Sequence, residues 1–144
     1  NAARFVDAAA ELGIGTVYVG GDEDRLIADG VAEASSVPMA VLAGKQSLME
    51  SLAVIAGATA AVAVDSGPMH LAALVGTPVV GLFGPSDPTK FHPWTRRSDV
   101  LSIGAPCDCV QPNCDFTTDG PGACMTGLEP RAVLDAVVKL IAEK

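Results

Sequence analysis

Short unbroken apolar runs alternate with helix-patterned stretches along this chain, and that alternation limits the folds open to it. Thr16–Val19, Met39–Leu42, Ala61–Val64 and Pro78–Phe83 are too short for buried helices and too continuous for strands with one wet face. Strands that read apolar throughout are covered on both sides, the mark of a parallel sheet between two helical layers. The stretches between them carry helical spacing. Phe5, Val6, Ala9 and Leu12 share a face within residues 1–12, and Leu48, Leu52, Ile55 and Ala56 share another after a Ser47–Glu50 capping box. Asp22-Glu23-Asp24 opens a helix running to about Ser35, Gly67–Val75 reads as a further helix, and Asp99–Ile103 as a further strand. Pro130–Glu143 closes the chain as a helix with Val133, Val137, Leu140 and Ile141 on its apolar side. The expected fold class is therefore α/β: a Rossmann-like, doubly wound parallel sheet occupying residues 1–144 as one domain. Such a sheet opens on a strand, whereas this sequence opens on a helix, at Asn1-Ala2-Ala3-Arg4 with no initiator Met. The first strand, central in a sheet of this kind, is expected to be lacking, as in a piece of a longer protein.

Composition narrows the partners. Hydrophobic residues make up 49% and charged residues 18%, enough apolar material for a core. Nine Lys+Arg against 17 Asp+Glu give a net charge of −8, which argues against nucleic acid or an anionic membrane surface as the main partner. A small anion held by backbone N–H groups remains open. The longest stretch free of Lys, Arg, Asp and Glu is Ser66–Ser86, and its glycines and prolines disqualify it as a spanning helix.

The densest chemical signal is Asp65-Ser66-Gly67-Pro68-Met69-His70-Leu71-Ala72-Ala73. It falls where a strand ends and a helix begins, the edge at which open α/β sheets bind ligands. Ser66 can cap the helix, Gly67 permits close approach to the backbone, and Pro68 suits a first-turn position that needs no donor. The helix amino end offers free N–H groups and partial positive charge to a phosphate, and His70 could add a donor one turn in. From the residues alone, a well-made strand-to-helix turn with His70 satisfied by its neighbours is an equal alternative. Commoner motifs are missing. Gly44-Lys45 is no P-loop, since Met39 and Ala40 stand where the first Gly is needed and Gln46 follows the lysine. Gly13-Ile14-Gly15 precedes a strand and so is no dinucleotide fingerprint. No nucleophile elbow or zinc-protease motif occurs.

Three blocks together resemble the C-terminal half of the family 9 glycosyltransferases, the ADP-heptose:lipopolysaccharide heptosyltransferases. They are Leu42-Ala43-Gly44-Lys45-Gln46-Ser47-Leu48, Ala63–Ala73 with its Asp-Ser-Gly-x-x-His pattern, and Gly76–Pro88 with Phe83-Gly84-Pro85-Ser86. The Gly20-Gly21 turn with its acids and Cys124-Met125 before the last helix also fit, so the likeness spans nearly the whole chain. The resemblance implies a GT-B architecture, two Rossmann-like lobes around a cleft, with this chain as the donor-nucleotide-binding lobe. It implies ADP-heptose or a related nucleotide sugar as substrate, inverting transfer to the lipopolysaccharide inner core, and no cofactor or metal. Asp65, Ser66, Gly67, Pro68, Met69 and His70 would then surround the donor's diphosphate and sugar. Lys45 and Gln46 would lie near the adenine, and Glu23 or Asp24 would bond the ribose hydroxyls. No acceptor base is evident here. In the family that residue, and acceptor recognition, belong to the absent N-terminal lobe, so the fragment alone is expected to bind donor weakly and not to transfer sugar. The implied location is the bacterial cytoplasm, with peripheral association of a full-length protein at the inner membrane's inner face. The alternative of a different class is a non-catalytic module that binds a nucleotide or sugar phosphate.

Weaker signals have blander readings beside them. Cys107, Cys109, Cys114 and Cys124 could hold zinc or form a disulfide, but the paired Cys-x2-Cys knuckles of common zinc sites are missing and free thiols are the commoner outcome. Phe91-His92-Pro93-Trp94 could face an acceptor or another lobe, though such a cluster more often packs a loop onto its domain. Met69 and Met125 read as packing residues.

Overall fold

The computed structural model describes residues 1–84, 86–95, 98–102, 125 and 127–142. The four cysteines, and with them the question of zinc or disulfide, lie outside the described residues, as do Arg96 and Arg97. Helices and parallel strands alternate in the expected order. They are α1 (Ala2–Glu11), β1 (Val17–Tyr18), a single 3-10 turn (Asp22–Asp24), α2 (Arg25–Ala34), β2 (Ala40–Val41), α3 (Leu48–Gly57), β3 (Ala61–Val64), α4 (Gly67–Val75), β4 (Val79–Phe83), α5 (Pro88–Phe91), β5 (Ser98–Ser102) and α6 (Pro130–Ala142).

Each boundary has a local cause. Ser47 and Glu50 form a reciprocal capping box at α3: Glu50 N–H donates to Ser47 Oγ at 3.3 Å, and Ser47 N–H donates to Glu50 Oε2 at 2.8 Å. Ser47 Oγ–H also donates to Glu50 Oε2, at 2.7 Å, and the bond from Ser47 N–H and this one both favour the carboxylate, so the Glu50 pKa is held below its ordinary value. Helix α4 ends on Gly76 at φ +78°, the left-handed conformation that a glycine adopts without strain. Helix α5, which the sequence pattern does not announce, is started by Asp87, whose Oδ1 accepts from Thr89 N–H at 2.9 Å ahead of Pro88 at the first turn.

All strand pairings are parallel. β3, β4 and β5 pair in that order, with Ala61 opposite Val79 and Val79 opposite Ser98, while β1 and β2 pair separately with Val17 opposite Ala40. The core divides by face, as the period of two demands. Val79 and Phe83 are fully buried with Met69, Ala72 and Ile55 on the α3–α4 side, where Ala61, Ala63 and Val19 also pack. Val80 meets Val133, Ala136, Val137 and Leu140 of α6 on the other side, joined by Phe5 of α1 and by Val62 and Leu82. One sheet side thus carries α3 and α4, the other α1 and α6. This is the doubly wound α/β arrangement, with a break: among the described residues no strand joins β1 to β3.

Several side chains depart from the amphipathic pattern. Leu12 is 50% exposed and Leu48 is 66% exposed, and of the expected α3 face Ile55 alone is buried. The reason lies in position. Leu12 falls just past the last turn of α1, and Leu48 stands at the first turn of α3, so both lie at helix ends and not in the helix interior. Of Phe91-His92-Pro93-Trp94, only Pro93 is buried as packing would require, while Trp94 is 88% exposed.

Candidate functional site

Three loops leave the carboxyl ends of β1, β2 and β3, and nearly every side chain singled out from the sequence lies on them. The first runs over Val19–Asp24. Its three acids separate by role. Asp24 Oδ2 accepts the Gly21 N–H at 2.9 Å, and Asp22 lies against Gly44. Glu23 is exposed and carries no hydrogen bond or ion pair among the described residues. Tyr18, at the end of β1, has its hydroxyl pKa raised by burial and, secondarily, by the Asp24 charge.

The second loop, Leu42–Ser47, is laced to the first. Gly44 N–H donates to Gly20 C=O at 3.1 Å, with Gly44 at φ +68° and a Cβ there 2.6 Å from Asp22 Oδ1. A side chain at position 44 is excluded twice over, by backbone conformation and by space. Lys45 Nζ donates back to Val41 C=O at 2.9 Å, which spends one of the three ammonium donors. Gln46 Oε1 is buried with no hydrogen-bond partner, an acceptor awaiting a donor among the described residues.

The third loop is Asp65-Ser66, feeding α4. Ser66 stands at the N-cap position, yet its hydroxyl does not cap the helix: Ser66 Oγ donates backward to Val64 C=O at 3.0 Å. The expected side-chain cap is therefore corrected, and the helix end is left more open by it. Met69 N–H is taken by Ser66 C=O at 3.1 Å, and Pro68 has no N–H. Gly67 N–H has no side-chain or loop acceptor among the described residues, and no atom lies within 4 Å of a Cβ built on Gly67. The fold thus does not require glycine there. His70 is exposed, one turn into α4, with no hydrogen-bond partner among the described residues, and Asp65 is half-buried with none either. Met69 separates from its neighbours: its side chain is fully buried in the core, the packing role its type suggested.

The structure therefore sets the first two loops against each other and places the third on the neighbouring sheet, each at a carboxyl strand end. A free helix amino end with an open approach and an unpartnered imidazole suits an anion such as a phosphate. A free carboxylate on an adjacent loop suits a hydroxyl-rich group. Two depressions of about 260 and 300 Å³ lie at the opposite, amino edge, around Gly13–Thr16 and around Ala58, Thr59, Thr77 and Pro78, and no ionisable side chain lines them. No group of three His, Cys, Asp or Glu side chains could hold a metal ion among the described residues, and no helix among them is long and apolar enough to cross a membrane.

Comparison with known proteins converges. The family profile "Glycosyltransferase family 9 (heptosyltransferase)" matches residues 3–117. The Escherichia coli lipopolysaccharide heptosyltransferase 3 is 36% identical over 97 residues, covering 65% of this chain and 28% of the relative. The Pseudomonas aeruginosa lipopolysaccharide heptosyltransferase 1 is 36% identical over 91 residues, covering 62% of this chain and 24% of the relative. Among solved structures, a family 9 glycosyl transferase from Veillonella parvula superposes with a TM-score of 0.83 at 27% identity, over 99% of this chain and 40% of that one. The fold alone is also shared with the Escherichia coli heptosyltransferase WaaC with ADP, with a TM-score of 0.74 at 24% identity over 96% of this chain and 38% of that one. The chain thus spans well under half the length of each of these relatives.

Proposed function

The chain belongs to glycosyltransferase family 9, the heptosyltransferases, and from that premise we propose that it is the donor-holding domain, residues 1–144, of a sugar-transferring enzyme. The donor is a nucleotide sugar of the ADP-heptose kind, and the acceptor is the growing inner core of lipopolysaccharide. The observation that carries this reading is the amino end of α4: an open Gly67 N–H and a His70 without a partner among the described residues, at the carboxyl edge of a parallel sheet.

The chemistry assigned to that edge is stabilisation of the leaving group. In an inverting transfer the acceptor hydroxyl attacks the anomeric carbon, the bond from that carbon to the diphosphate breaks, and ADP departs with the electron pair. Donors aimed at the diphosphate before reaction begins lower the cost of that developing charge. Gly67 N–H, the helix dipole and His70 fill this role, with Ser66 and Pro68 shaping the turn. Asp65, a carboxylate that would repel the diphosphate if it faced it, orients a sugar hydroxyl. Of the two acids open from sequence, Glu23 takes the ribose hydroxyls, because the Asp24 carboxylate is already bonded to Gly21 N–H. Lys45 and Gln46 border the adenine, with Gln46 Oε1 as acceptor for its exocyclic amine. The acceptor base is supplied by another part of the enzyme. No cofactor is required in this scheme, and the enzyme works in the cytoplasm on the inner membrane's inner face.

The test is calorimetric titration of ADP and ADP-heptose onto the protein and onto Asp65→Ala and His70→Ala. His70→Ala should weaken both ligands. Asp65→Ala should weaken ADP-heptose alone. Unchanged affinities for both ligands in both variants would remove the assigned site.

A further inference from the structure

Each of the three acids after β1 packs against a glycine. A Cβ built on Gly20 would lie 2.9 Å from Asp24 Cβ, one on Gly44 would lie 3.2 Å from Asp22 Cα, and one on Gly21 would meet Glu23. The three cases differ in kind. Asp24 Cβ and Asp22 Cα are fixed to the backbone and cannot swing aside, and Gly44 also sits at φ +68°. Glycine at 20 and 44 is therefore demanded by the fold. Gly21 is at φ −78° and ψ −176°, extended backbone that alanine adopts without strain. The three atoms nearest to a Cβ there are Oε2, Cδ and Oε1 of Glu23, at 2.7, 2.9 and 3.0 Å. They form the free end of an exposed side chain, which can turn to another rotamer when crowded. Glycine at 21 thus answers to the Glu23 carboxylate and not to the fold. The nearly equal distances lay that carboxylate face-on against the Gly21 α-carbon. Its lone pairs lie in its own plane, so both oxygens keep their acceptor capacity directed sideways. No donor among the described residues takes it up.

We propose, resting on the reading of Glu23 as the ribose-binding acid, that Gly21 is a positioning residue: by lacking a side chain it seats the Glu23 carboxylate so that both oxygens face a vicinal diol, and so selects ribonucleotides over 2′-deoxyribonucleotides. An ionised carboxylate only accepts, and its two oxygens match two adjacent hydroxyl donors. An exposed glutamate samples several rotamers, and ordering it on binding is subtracted from affinity. The seat orders it beforehand. Beneath the seat the turn is closed by Gly21 N–H, which donates to Asp24 Oδ2 at 2.9 Å and so takes the neighbouring acid out of competition for the sugar. Gly44 N–H, donating to Gly20 C=O at 3.1 Å, ties the same turn to the Leu42–Ser47 loop. Alanine at position 21 leaves both of these bonds in place and displaces the Glu23 carboxylate. A ribose then loses its paired acceptor, whereas a 2′-deoxyribose, offering one hydroxyl where ribose offers two, loses less.

The experiment is calorimetry with ADP and 2′-deoxy-ADP on the protein, on Gly21→Ala, on Glu23→Ala and on the double variant, with urea unfolding of each. The parent should prefer ADP by about ten-fold or more, the worth of one hydrogen bond to a charged group. Glu23→Ala should remove that preference. Gly21→Ala should weaken ADP by about ten-fold, remove most of the preference and leave the unfolding midpoint unchanged. Added to Glu23→Ala, it should change neither affinity, because the group it displaces is already gone. A glycine with a merely structural role would weaken both nucleotides alike, in the Glu23→Ala background as well, and that result would overturn the proposal. So would a Gly21→Ala protein that keeps the preference which Glu23→Ala loses. No preference in the parent, or a preference that survives Glu23→Ala, would instead overturn the ribose reading of Glu23. The seat is also read without ligand, by NMR. The Gly21 α-proton resonances should move as Glu23 ionises, and Glu23→Gln should abolish that movement. Gly21 α-protons that do not respond to Glu23 would overturn the seat whatever the nucleotides do.

Discussion

Substituting Gly67 by Ala separates a ligand's demand from the fold's. Most site glycines fail to do this, because a side chain there damages the protein first. At Gly67 there is no positive φ, and among the described residues no atom outside its chain neighbours and its own helix backbone lies within 4 Å of the methyl that alanine would add, so the fold makes no objection to the change there. Alanine is the better helix former by up to about 1 kcal/mol in a helix interior, and less at a first-turn position. Folding stability should therefore be unchanged or raised by a few tenths of a kcal/mol. Binding should move the other way. The methyl group fills the approach to an N–H that has no loop or side-chain acceptor. Losing one hydrogen bond to a charged group costs about 1.5–3 kcal/mol, which is about 10- to 100-fold in Kd. Urea unfolding measures the first quantity and calorimetry with ADP the second. A Gly67→Ala protein that binds ADP as tightly as the parent would refute the reasoning, because the phosphates could not then lie over this backbone. A loss of stability above about 1 kcal/mol would refute it differently, by showing a fold requirement that the open space denies.

Further expectations can be checked alongside. Gly76→Ala places a side chain at φ +78° and should cost about 1 kcal/mol in urea unfolding without changing ADP affinity. Thr77→Val removes the buried hydroxyl that donates to Ile55 C=O at 2.8 Å. That carbonyl keeps its bond from Ala58 N–H at 3.1 Å, so the loss of the second donor should cost about 0.5–1.5 kcal/mol, read as a lowered Tm, again with ADP binding intact. The Glu50 pKa is depressed in the folded state, so its contribution to stability is complete above the ordinary carboxylate range and is lost as pH falls through the folded value. Glu50→Gln should accordingly flatten the acid limb of a stability–pH curve and leave the neutral region's slope unchanged. In the complete enzyme, transfer should survive excess EDTA if helix-end donors and His70 do the work of a metal; loss of turnover restored by a divalent ion would contradict that assignment.

Fold and site are legible in the sequence to different depths. The parallel α/β class can be read because β3 and β4 are apolar without interruption, a pattern that only two-sided cover explains. Helix boundaries with their own chemistry, such as Ser47 with Glu50, are equally plain. Short range limits the rest. Ser66 suits a cap by type and position, but the choice between the helix N–H groups and Val64 C=O is made by a rotamer that sequence does not specify. The acids at Asp22–Asp24 cannot be told apart until Asp24 is seen bonded to Gly21 and Glu23 left over. Helix α5 escapes a reading by pattern although Asp87-Pro88 is a start signal, because one turn of helix has too few residues to show periodicity. Trp94 defies expectation because an aromatic near a proline packs in most proteins, and here the proline alone does so.

The break in the sheet bears directly on how tightly this chain can hold a donor. Glu23, Lys45 and Gln46 lie on loops of the β1–β2 pair, and Asp65, Gly67 and His70 on the loop and helix beyond β3. No strand hydrogen bonds tie the one group to the other among the described residues; shared helical cover does. A nucleotide sugar that touches both must fix their relative position when it binds, and that ordering is subtracted from its affinity. By linkage the ordering is visible from either side. ADP should slow amide exchange in the Val19–Asp24 and Leu42–Ser47 loops and at the start of α4 together, read residue by residue by NMR. Slowing confined to one group would show that ADP touches that group alone, and the reading of one shared site would fall.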